Sequence, residues 1–174
     1  MELQILDWIQ TWHTPAGDVI MPVITSLGNA GIIWIILLVV LLIQRKKSGV
    51  ILLAALLIEV VLCNGIVKNL VARTRPYDVN TAVKLLAAKP HDYSFPSGHT
   101  AASFTSVAAL YWAGEKKLWK AAFVLAIAIA FSRLYLYMHY PTDVLGGILL
   151  GVLAGYLGSL AGNWICNRKV ERGQ

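Results

Sequence analysis

The sequence has few charged residues. Only 14% of its 174 residues are Asp, Glu, Lys or Arg, whereas 57% are hydrophobic. A typical soluble domain carries about 25% charged residues, so this composition argues against a soluble globular protein. We therefore expect most of the chain to lie in a lipid bilayer.

Cysteines, linker sequences and a cleavable leader are also scarce or absent. The two cysteines, Cys63 and Cys166, show neither a metal-binding spacing nor a secreted disulfide pattern. No Ser/Gly-rich linker or low-complexity tract divides the chain, so we expect one membrane domain over residues 1–174. The N-terminus lacks the basic start and the cleavage site of a secretory signal, and we expect the first hydrophobic segments to stay in the mature protein.

Long apolar runs dominate the sequence instead. A helix needs roughly 20 residues to cross the hydrocarbon core, so the two shortest runs must be extended by flanking residues or lie tilted. Before these runs, Ile5, Trp8, Ile9 and Trp12 repeat at helical spacing, which predicts an interfacial helix over residues 1–14. The sequence thus predicts an all-α integral membrane protein, a five-span helical bundle with spans at about 19–43, 50–71, 97–113, 118–131 extended by its flanks, and 142–165.

Basic residues alternate along the connections between these runs. Alternate positive connections are typical of cytoplasmic loops, which explains the net charge of +6 without a nucleic-acid partner. We therefore expect a multi-pass cell-membrane protein whose N-terminus, 72–96 segment and 133–141 connection are extracytoplasmic and whose C-terminus is cytoplasmic. The clusters are Arg45, Lys46 and Lys47; Lys116, Lys117 and Lys120; and Arg168, Lys169 and Arg172.

Three polar motifs fall on the predicted outer side. Spans two and four end there and spans three and five begin there, so their termini can converge on one pocket. Other cations on this side, such as Arg73, depart from the topology rule unless they have a function. The motifs are Lys68 with Arg75-Pro76, Pro96-Ser97-Gly98-His99, and Ser132-Arg133 followed by His139 and Asp143.

The cations and the helix start in these motifs are suited to binding phosphate. Phosphoryl transfer depends mainly on positioning and on stabilising charge on the transferring oxygens, which Lys68, Arg75 and Arg133 can supply. Ser97 and Gly98 at the start of a helix add backbone N–H donors and the positive end of the helix dipole.

The two histidines of the motifs are suited to different chemical roles. His139 and Asp143 are four residues apart, so a helix that begins near Pro141 brings the carboxylate close to the imidazole. Asp143 would then fix the tautomer of His139 and leave its other ring nitrogen free to attack phosphorus. His99, on another helix, would protonate the departing oxygen and later activate water.

In order and spacing, these motifs resemble the three-part signature of the type 2 phosphatidic acid phosphatase family. The resemblance covers residues 68–143 and implies metal-independent hydrolysis through a phosphohistidine at His139, with no cofactor. It also implies that His99 is the acid and that Asp143 orients His139. By the same resemblance, the phosphate is bound by Lys68, Arg75, Ser97, Gly98, His99 and Arg133.

The resemblance indicates a lipid phosphate or diphosphate as substrate, with undecaprenyl diphosphate as our first choice. Phosphatidylglycerol phosphate and phosphatidic acid are alternatives. A non-enzymatic anionic-lipid binder or transporter would need the cations but not the paired histidines. A phosphotransferase would pass the phosphoryl group to an acceptor other than water.

Two further patterns leave alternatives open. Glu59 lies in mid-span, where it is either functional or a packing residue, and an α-helix would direct it roughly opposite Lys68. Gly147, Gly151 and Gly155 recur every four residues, which is typical of close helix packing, either within the subunit or across a homodimer.

Overall fold

The structure is a computed structural model that describes residues 1–171, with side chains as far as Arg168. Arg172, the last cation of the predicted cytoplasmic tail, lies outside the described residues. The described part is helical and contains no strand, which agrees with the all-α prediction. Its α-helices are α1 (Glu2–Gln10), α2 (Pro15–Leu27), α3 (Ile32–Ile43), α4 (Lys47–Glu59), α5 (Lys68–Val71), α6 (Pro76–Val79), α7 (Gly98–Trp112), α8 (Leu118–Tyr135) and α9 (Pro141–Glu171).

The first apolar run, predicted as one helix over 19–43, is divided into α2 and α3. The two helices meet at an angle of 46°. Between them, Ala30 and Gly31 have φ values of 49° and 68°, in the left-handed region that a right-handed helix excludes. This break places Asn29 in a short 3-10 turn rather than in a regular helix.

The second apolar run is continuous but not uniformly α-helical. Between α4 and α5, residues Val60–Val67 form a π-helix. A π-helix makes i→i+5 hydrogen bonds and has more residues per turn than an α-helix, so it changes the direction of every side chain that follows it. The direction of Lys68 relative to Glu59 therefore differs from the one expected for a regular α-helix.

Three helical stretches of residues 1–171 are long and apolar enough to cross a membrane. They are Lys47–Val79, Leu118–Tyr135 and Pro141–Arg168, and the bent pair Pro15–Leu27 and Asn29–Ile43 would be a fourth span. The chain is therefore an all-helical membrane protein with three or four candidate spans. Helix α7 has only 15 residues and falls short of this length, so the fifth span remains a prediction.

Helices α3, α4, α7, α8 and α9 connect two opposite ends of the bundle. At one end, Ser48 Oγ donates a 2.8 Å hydrogen bond to Glu115 Oε1, and Lys46 Nζ lies 3.7 Å from the same oxygen. These contacts bring together the first and third connections, the two that carry basic clusters. The other end holds Lys68 and the starts of α7 and α9, so the predicted convergence of helix ends is confirmed.

Helix α7 lies at the centre of the bundle, against α4, α8 and α9. Glycines of α9 allow the backbones to approach closely: a Cβ at Gly151 would lie 2.5 Å from the carbonyl oxygen of Ala101. Gly147 and Gly155 face α7 in the same way, and Gly158 faces α4. The glycine pattern therefore serves packing within the chain, which is one of its two predicted roles, and the homodimer stays a prediction.

The N-terminal helix packs on the end of the bundle that holds Lys68. Leu6 and Ile9 are buried in a cluster with Tyr135 and Leu136. Trp8 and Trp12, from the predicted stripe, are exposed. This division suits a helix with one face on the protein and one toward the membrane surface, and its interfacial location stays a prediction.

Candidate active site

The residues of the three motifs meet at one cavity of about 510 Å³. Helix α7 begins at Gly98 after Ser97, and α9 begins at Pro141, as the sequence predicts. Ser97 and Asp143 are fully buried, and the Ser97 N–H donates to the backbone oxygen of Asp143 at 3.0 Å. The motif residues that line the cavity are Lys68, Arg75, Gly98, His99, Arg133 and His139.

His139 lies between the carboxylate of Asp143 and the guanidinium group of Arg75. Its Nδ1 is 3.5 Å from Asp143 Oδ2, and its Nε2 is 3.2 Å from Arg75 Nη1. Burial lowers the pKa of the imidazole, and the charges of Arg133 and Arg75 lower it further, against the opposing effect of Asp143. The ring is therefore neutral at pH 7 and keeps a lone pair on one nitrogen.

Asp143 is held by more partners than His139 alone. Its Oδ2 accepts hydrogen bonds from Ser94 Oγ at 2.5 Å and from the Tyr140 N–H at 2.9 Å. Its Oδ1 accepts from Arg73 Nη1 at 2.7 Å. These bonds fix the orientation of the carboxylate, so its distance to His139 is set by the surrounding structure.

A second acid supports this arrangement from the N-terminal helix. Arg73 Nη2 lies 2.5 Å from Glu2 Oε2, and Glu2 Oε1 accepts from the hydroxyl of Thr142 at 2.6 Å. Arg73 thus bridges the carboxylates of Glu2 and Asp143. It also packs over the ring of Tyr140, with its guanidinium carbon 3.8 Å from the ring centroid.

His99 is positioned by the break in the first apolar run. Its Nε2 lies 2.9 Å from Asn29 Oδ1, and because this oxygen only accepts, the ring donates from Nε2. Gly28 lies against the same ring, where a Cβ would be 2.8 Å from His99 Cδ2. The turn between α2 and α3 therefore forms the wall of the cavity next to His99.

The three cations of the motifs have different partners. Arg133 Nη1 donates to Thr25 Oγ1 at 2.5 Å, and its Nε has no hydrogen-bond partner among the described residues. Lys68 and Arg75 both pair with Asp92: Arg75 Nη2 lies 2.6 Å from Asp92 Oδ1, and Lys68 Nζ contacts Oδ2. A carboxylate therefore lies in the predicted phosphate site.

Glu59 lines the same cavity as Lys68, contrary to the opposite direction expected from α-helical spacing. The π-helical stretch between the two residues accounts for the difference. Glu59 is only 2% exposed, and its Oε1 has no hydrogen-bond partner among the described residues. The structure thus places Glu59 at the cavity, and within the described residues its Oε1 is buried without a hydrogen bond.

Sequence reasoning assigned no role to the residues that support the two histidines. Arg73 is visible in the sequence as a cation on the predicted outer side. Asn29 is visible as a polar residue at the start of an apolar run. No local pattern identifies Ser94 or Glu2, because their partners are far away in sequence.

Comparison with known proteins assigns most of the chain to one family. The PAP2 superfamily profile matches residues 48–165, a region that contains all three motifs. The chain belongs to the PAP2 superfamily. The family predicted from Lys68 to Asp143 is thereby confirmed, and the PAP2 match extends beyond the motifs into the apolar runs on both sides.

Three PAP2-related proteins illustrate the similarity. The crystal structure of Aquifex aeolicus LpxE has a TM-score of 0.80 and 34% sequence identity, and the match covers 90% of this chain and 93% of that chain. A lipid A 4′-phosphatase of Bacteroides thetaiotaomicron is 27% identical over 169 residues, which are 90% of this chain and 75% of that protein. An undecaprenyl-diphosphatase of Sulfolobus acidocaldarius is 36% identical over 90 residues, which are 52% of this chain and 44% of that protein. The chain thus matches less than half the length of this last relative.

Proposed function

We propose that this PAP2 protein is an integral membrane lipid phosphatase that acts through a phosphohistidine at His139. Its substrate would be a lipid phosphate or diphosphate that carries a terminal phosphate. The main support is that His139, which lies beside the buried Asp143, lines the same cavity as His99 and the cations. An anion binder would need the cations alone, whereas a phosphatase also needs both histidines.

The first step transfers the phosphoryl group to the enzyme. Lys68, Arg75 and Arg133 bind the terminal phosphate, together with the backbone N–H groups at the start of α7. The lone pair on His139 Nε2 forms the N–P bond while the P–O bond to the lipid breaks. The electrons of that bond leave with the lipid oxygen, which takes a proton from His99.

The second step releases inorganic phosphate. A water molecule attacks the phosphorus, and His99, now unprotonated, takes a proton from it. The N–P bond breaks and returns its electron pair to His139. Asp143 holds the imidazole in the same tautomer throughout, so both steps use the same ring nitrogen.

The lipid tail would leave the cavity between α3 and α4. Beyond the polar residues, the cavity is lined by Ile35 and Leu38 from α3 and by Leu53 and Leu57 from α4. Ile35, Leu53 and Leu57 are also exposed on the surface of the bundle. A tail that follows this path stays in the bilayer, and only the phosphate has to enter the polar part of the site.

Undecaprenyl diphosphate is our first choice of substrate, because a relative bears the name undecaprenyl-diphosphatase. A relative that matches more of the chain is named lipid A 4′-phosphatase, so a phosphorylated lipid A belongs in the set of lipids to test. Phosphatidylglycerol phosphate and phosphatidic acid complete the panel to test. Each of these lipids has a terminal phosphate, which is the group that the proposed mechanism uses.

The decisive experiment measures phosphate release from this panel by the detergent-purified protein in excess chelator. We expect the wild type to be active, and His139→Ala and His99→Ala to lose activity. A wild type that binds the lipids without releasing phosphate would favour a binder or transporter. Full activity in His139→Ala would overturn the assignment of the nucleophile, and transfer of phosphate to another alcohol would indicate a phosphotransferase.

We also propose five spans, with the active site on the extracytoplasmic side and the C-terminus in the cytoplasm. The basic clusters at the end of the bundle opposite the cavity support this orientation. Reporter fusions after Lys47 and after Lys84 test it, with the first expected inside and the second outside. Both reporters on one side would contradict five spans.

A further inference from the structure

Asp92 occupies the position in which the proposed phosphatase would bind its phosphate. Lys68 and Arg75 are almost fully buried, with side-chain exposures of 7% and 4%, whereas the Asp92 side chain is 50% exposed. The two cations are therefore fixed by the bundle. Asp92 comes from the 72–96 segment and is the one member of this cluster with solvent on one side.

The contacts of Arg75 leave no room for a second anion. Its Nη2 pairs with Asp92 Oδ1, and its Nε donates to the Asp92 backbone oxygen at 2.8 Å. Its Nη1 donates to the backbone oxygen of Met138 at 2.9 Å and lies next to His139. A phosphate that binds to Arg75 through two oxygens must therefore displace the Asp92 carboxylate.

Asp92 carries its charge throughout the physiological pH range. Burial acts to raise the pKa of the carboxyl, but the hydrogen bond and charge of Lys68 and the charge of Arg75 outweigh it and lower the pKa to about 2. The carboxylate is thus a permanent anion in the site. No change of pH between 5 and 8 would release Lys68 and Arg75 from it.

We propose that Asp92 is a tethered competitor for the phosphate site: any phosphate anion must displace it from Lys68 and Arg75, and its return helps to expel the product. This inference rests on the proposed function for the identity of the anion. A tethered competitor weakens the binding of every anion by the same factor. Weakly bound anions, such as the phosphodiester headgroups of bulk lipids, would then be excluded at concentrations where a tight substrate still binds.

Asp92 could instead serve to position the two cations. This alternative predicts a change in phosphate affinity of the opposite sign when Asp92 is removed. If Asp92 only holds Lys68 and Arg75 in place, then its removal should weaken the binding of phosphate. If Asp92 competes with phosphate, then its removal should strengthen it. The sign of the change in affinity therefore separates the two roles.

The test compares wild type with Asp92→Asn and Asp92→Ala by calorimetric titration with inorganic phosphate and with dimethyl phosphate. We expect both variants to bind both anions at least about tenfold more tightly, with an unchanged ratio between the two affinities. Asp78→Asn, which removes the same charge from an exposed site on α6, should change either affinity less than twofold. Affinities that stay equal or become weaker in both Asp92 variants would overturn the proposal.

The titration needs no turnover, so it stays informative if the proposed function fails. In the active enzyme, inhibition by inorganic phosphate should strengthen by the same factor as binding. A wild type that hydrolyses no lipid phosphate would refute the phosphatase assignment, and the titration would still decide on Asp92. Unchanged product inhibition in an active Asp92→Asn enzyme would refute the role in product release.

Discussion

The two histidines of the site are held in contrasting ways. His139 is 1% exposed and faces a carboxylate, Asp143, whose two oxygens are both fixed by other groups. His99 is partly exposed, and its imidazole makes one hydrogen bond within the described part of the chain, to Asn29. The hydrogen bonds around His139 continue from Asp143 through Arg73 to Glu2, whereas those of the His99 ring involve, among the described residues, only Asn29 in a short turn.

This difference matches the different demands of the two proposed roles. A nucleophile forms a bond at its own atom, so an error in the direction of its lone pair directly raises the barrier. A proton can also be transferred through a water molecule, so its donor tolerates a looser position. We therefore expect substitutions near His139 to cost more activity than equivalent substitutions near His99.

The largest effect is expected for Asp143→Asn. The amide cannot favour the productive tautomer of His139 and can instead hold the ring in the wrong one. We expect kcat for lipid phosphate hydrolysis to fall by about 10³-fold or more, as for similar changes in other His–Asp pairs. Ser94→Ala, which removes one neutral hydrogen bond to the same carboxylate, is the control and should cost roughly tenfold or less. A loss below tenfold in Asp143→Asn would remove the contrast between the two histidines.

An intermediate effect is expected for Arg73→Ala. Hydrogen bonds to charged groups contribute about 1.5–3 kcal/mol, so the loss of the bond to Asp143 should lower kcat by roughly 10- to 100-fold. Because Arg73 acts through Asp143, the double variant with Asp143→Asn should be no worse than Asp143→Asn alone. Multiplicative losses in the double variant would show that Arg73 acts on the substrate directly.

A smaller effect is expected for Asn29→Ala. Water can replace the amide oxygen next to His99, so kcat should fall less than tenfold. The loss should disappear with a phosphate ester whose leaving group needs no proton, because His99 then has no task in the first step. The comparison requires single-turnover rates for both substrates. A loss that persists with the activated ester would place Asn29 in substrate binding instead.

The smallest effect is expected when the pH is varied and the activities of wild type and Asp143→Asn are compared. Burial lowers the pKa of His139 below its usual value of about 6.5, so the neutral, nucleophilic form persists as the pH falls from 7 to 6. Asp143 acts to raise this pKa, so Asp143→Asn lowers it further and the ring stays neutral. The activity ratio of wild type to Asp143→Asn should therefore be constant between pH 6 and pH 8. A ratio that shrinks at high pH would mean that the variant had lost activity through protonation.

The sequence predicts the parts of the site that depend on local signals. Pro141 marks the start of α9 and so places Asp143 next to His139, and Ser97-Gly98 marks the start of α7. The direction of successive spans is sufficient to bring these helix ends together. The apolar runs likewise predict the helices, except in the first run, where Gly28, Asn29 and Gly31 form a turn between two strongly apolar stretches.

The remaining parts depend on contacts between residues that are distant in sequence. Asn29 is 70 residues from His99, and Glu2 is 71 residues from Arg73. No periodicity predicts such pairs, because the local sequence around each residue contains no signal for its distant partner. The position of Asp92 depends on the conformation of an irregular segment, for which sequence spacing gives no direction.

The π-helical stretch Val60–Val67 links the direction of Lys68 to the hydrogen-bonding pattern of an apolar run. If all its residues took regular α-helical hydrogen bonds, each later side chain would turn by about 100°. Lys68 would then point away from the cavity, although every polar residue of the site would still be present. Loss of one residue from the stretch would compensate for this change, because a π-turn contains about one residue more than an α-turn. An engineered version of this helix can therefore omit the π-turn only if it also omits one residue.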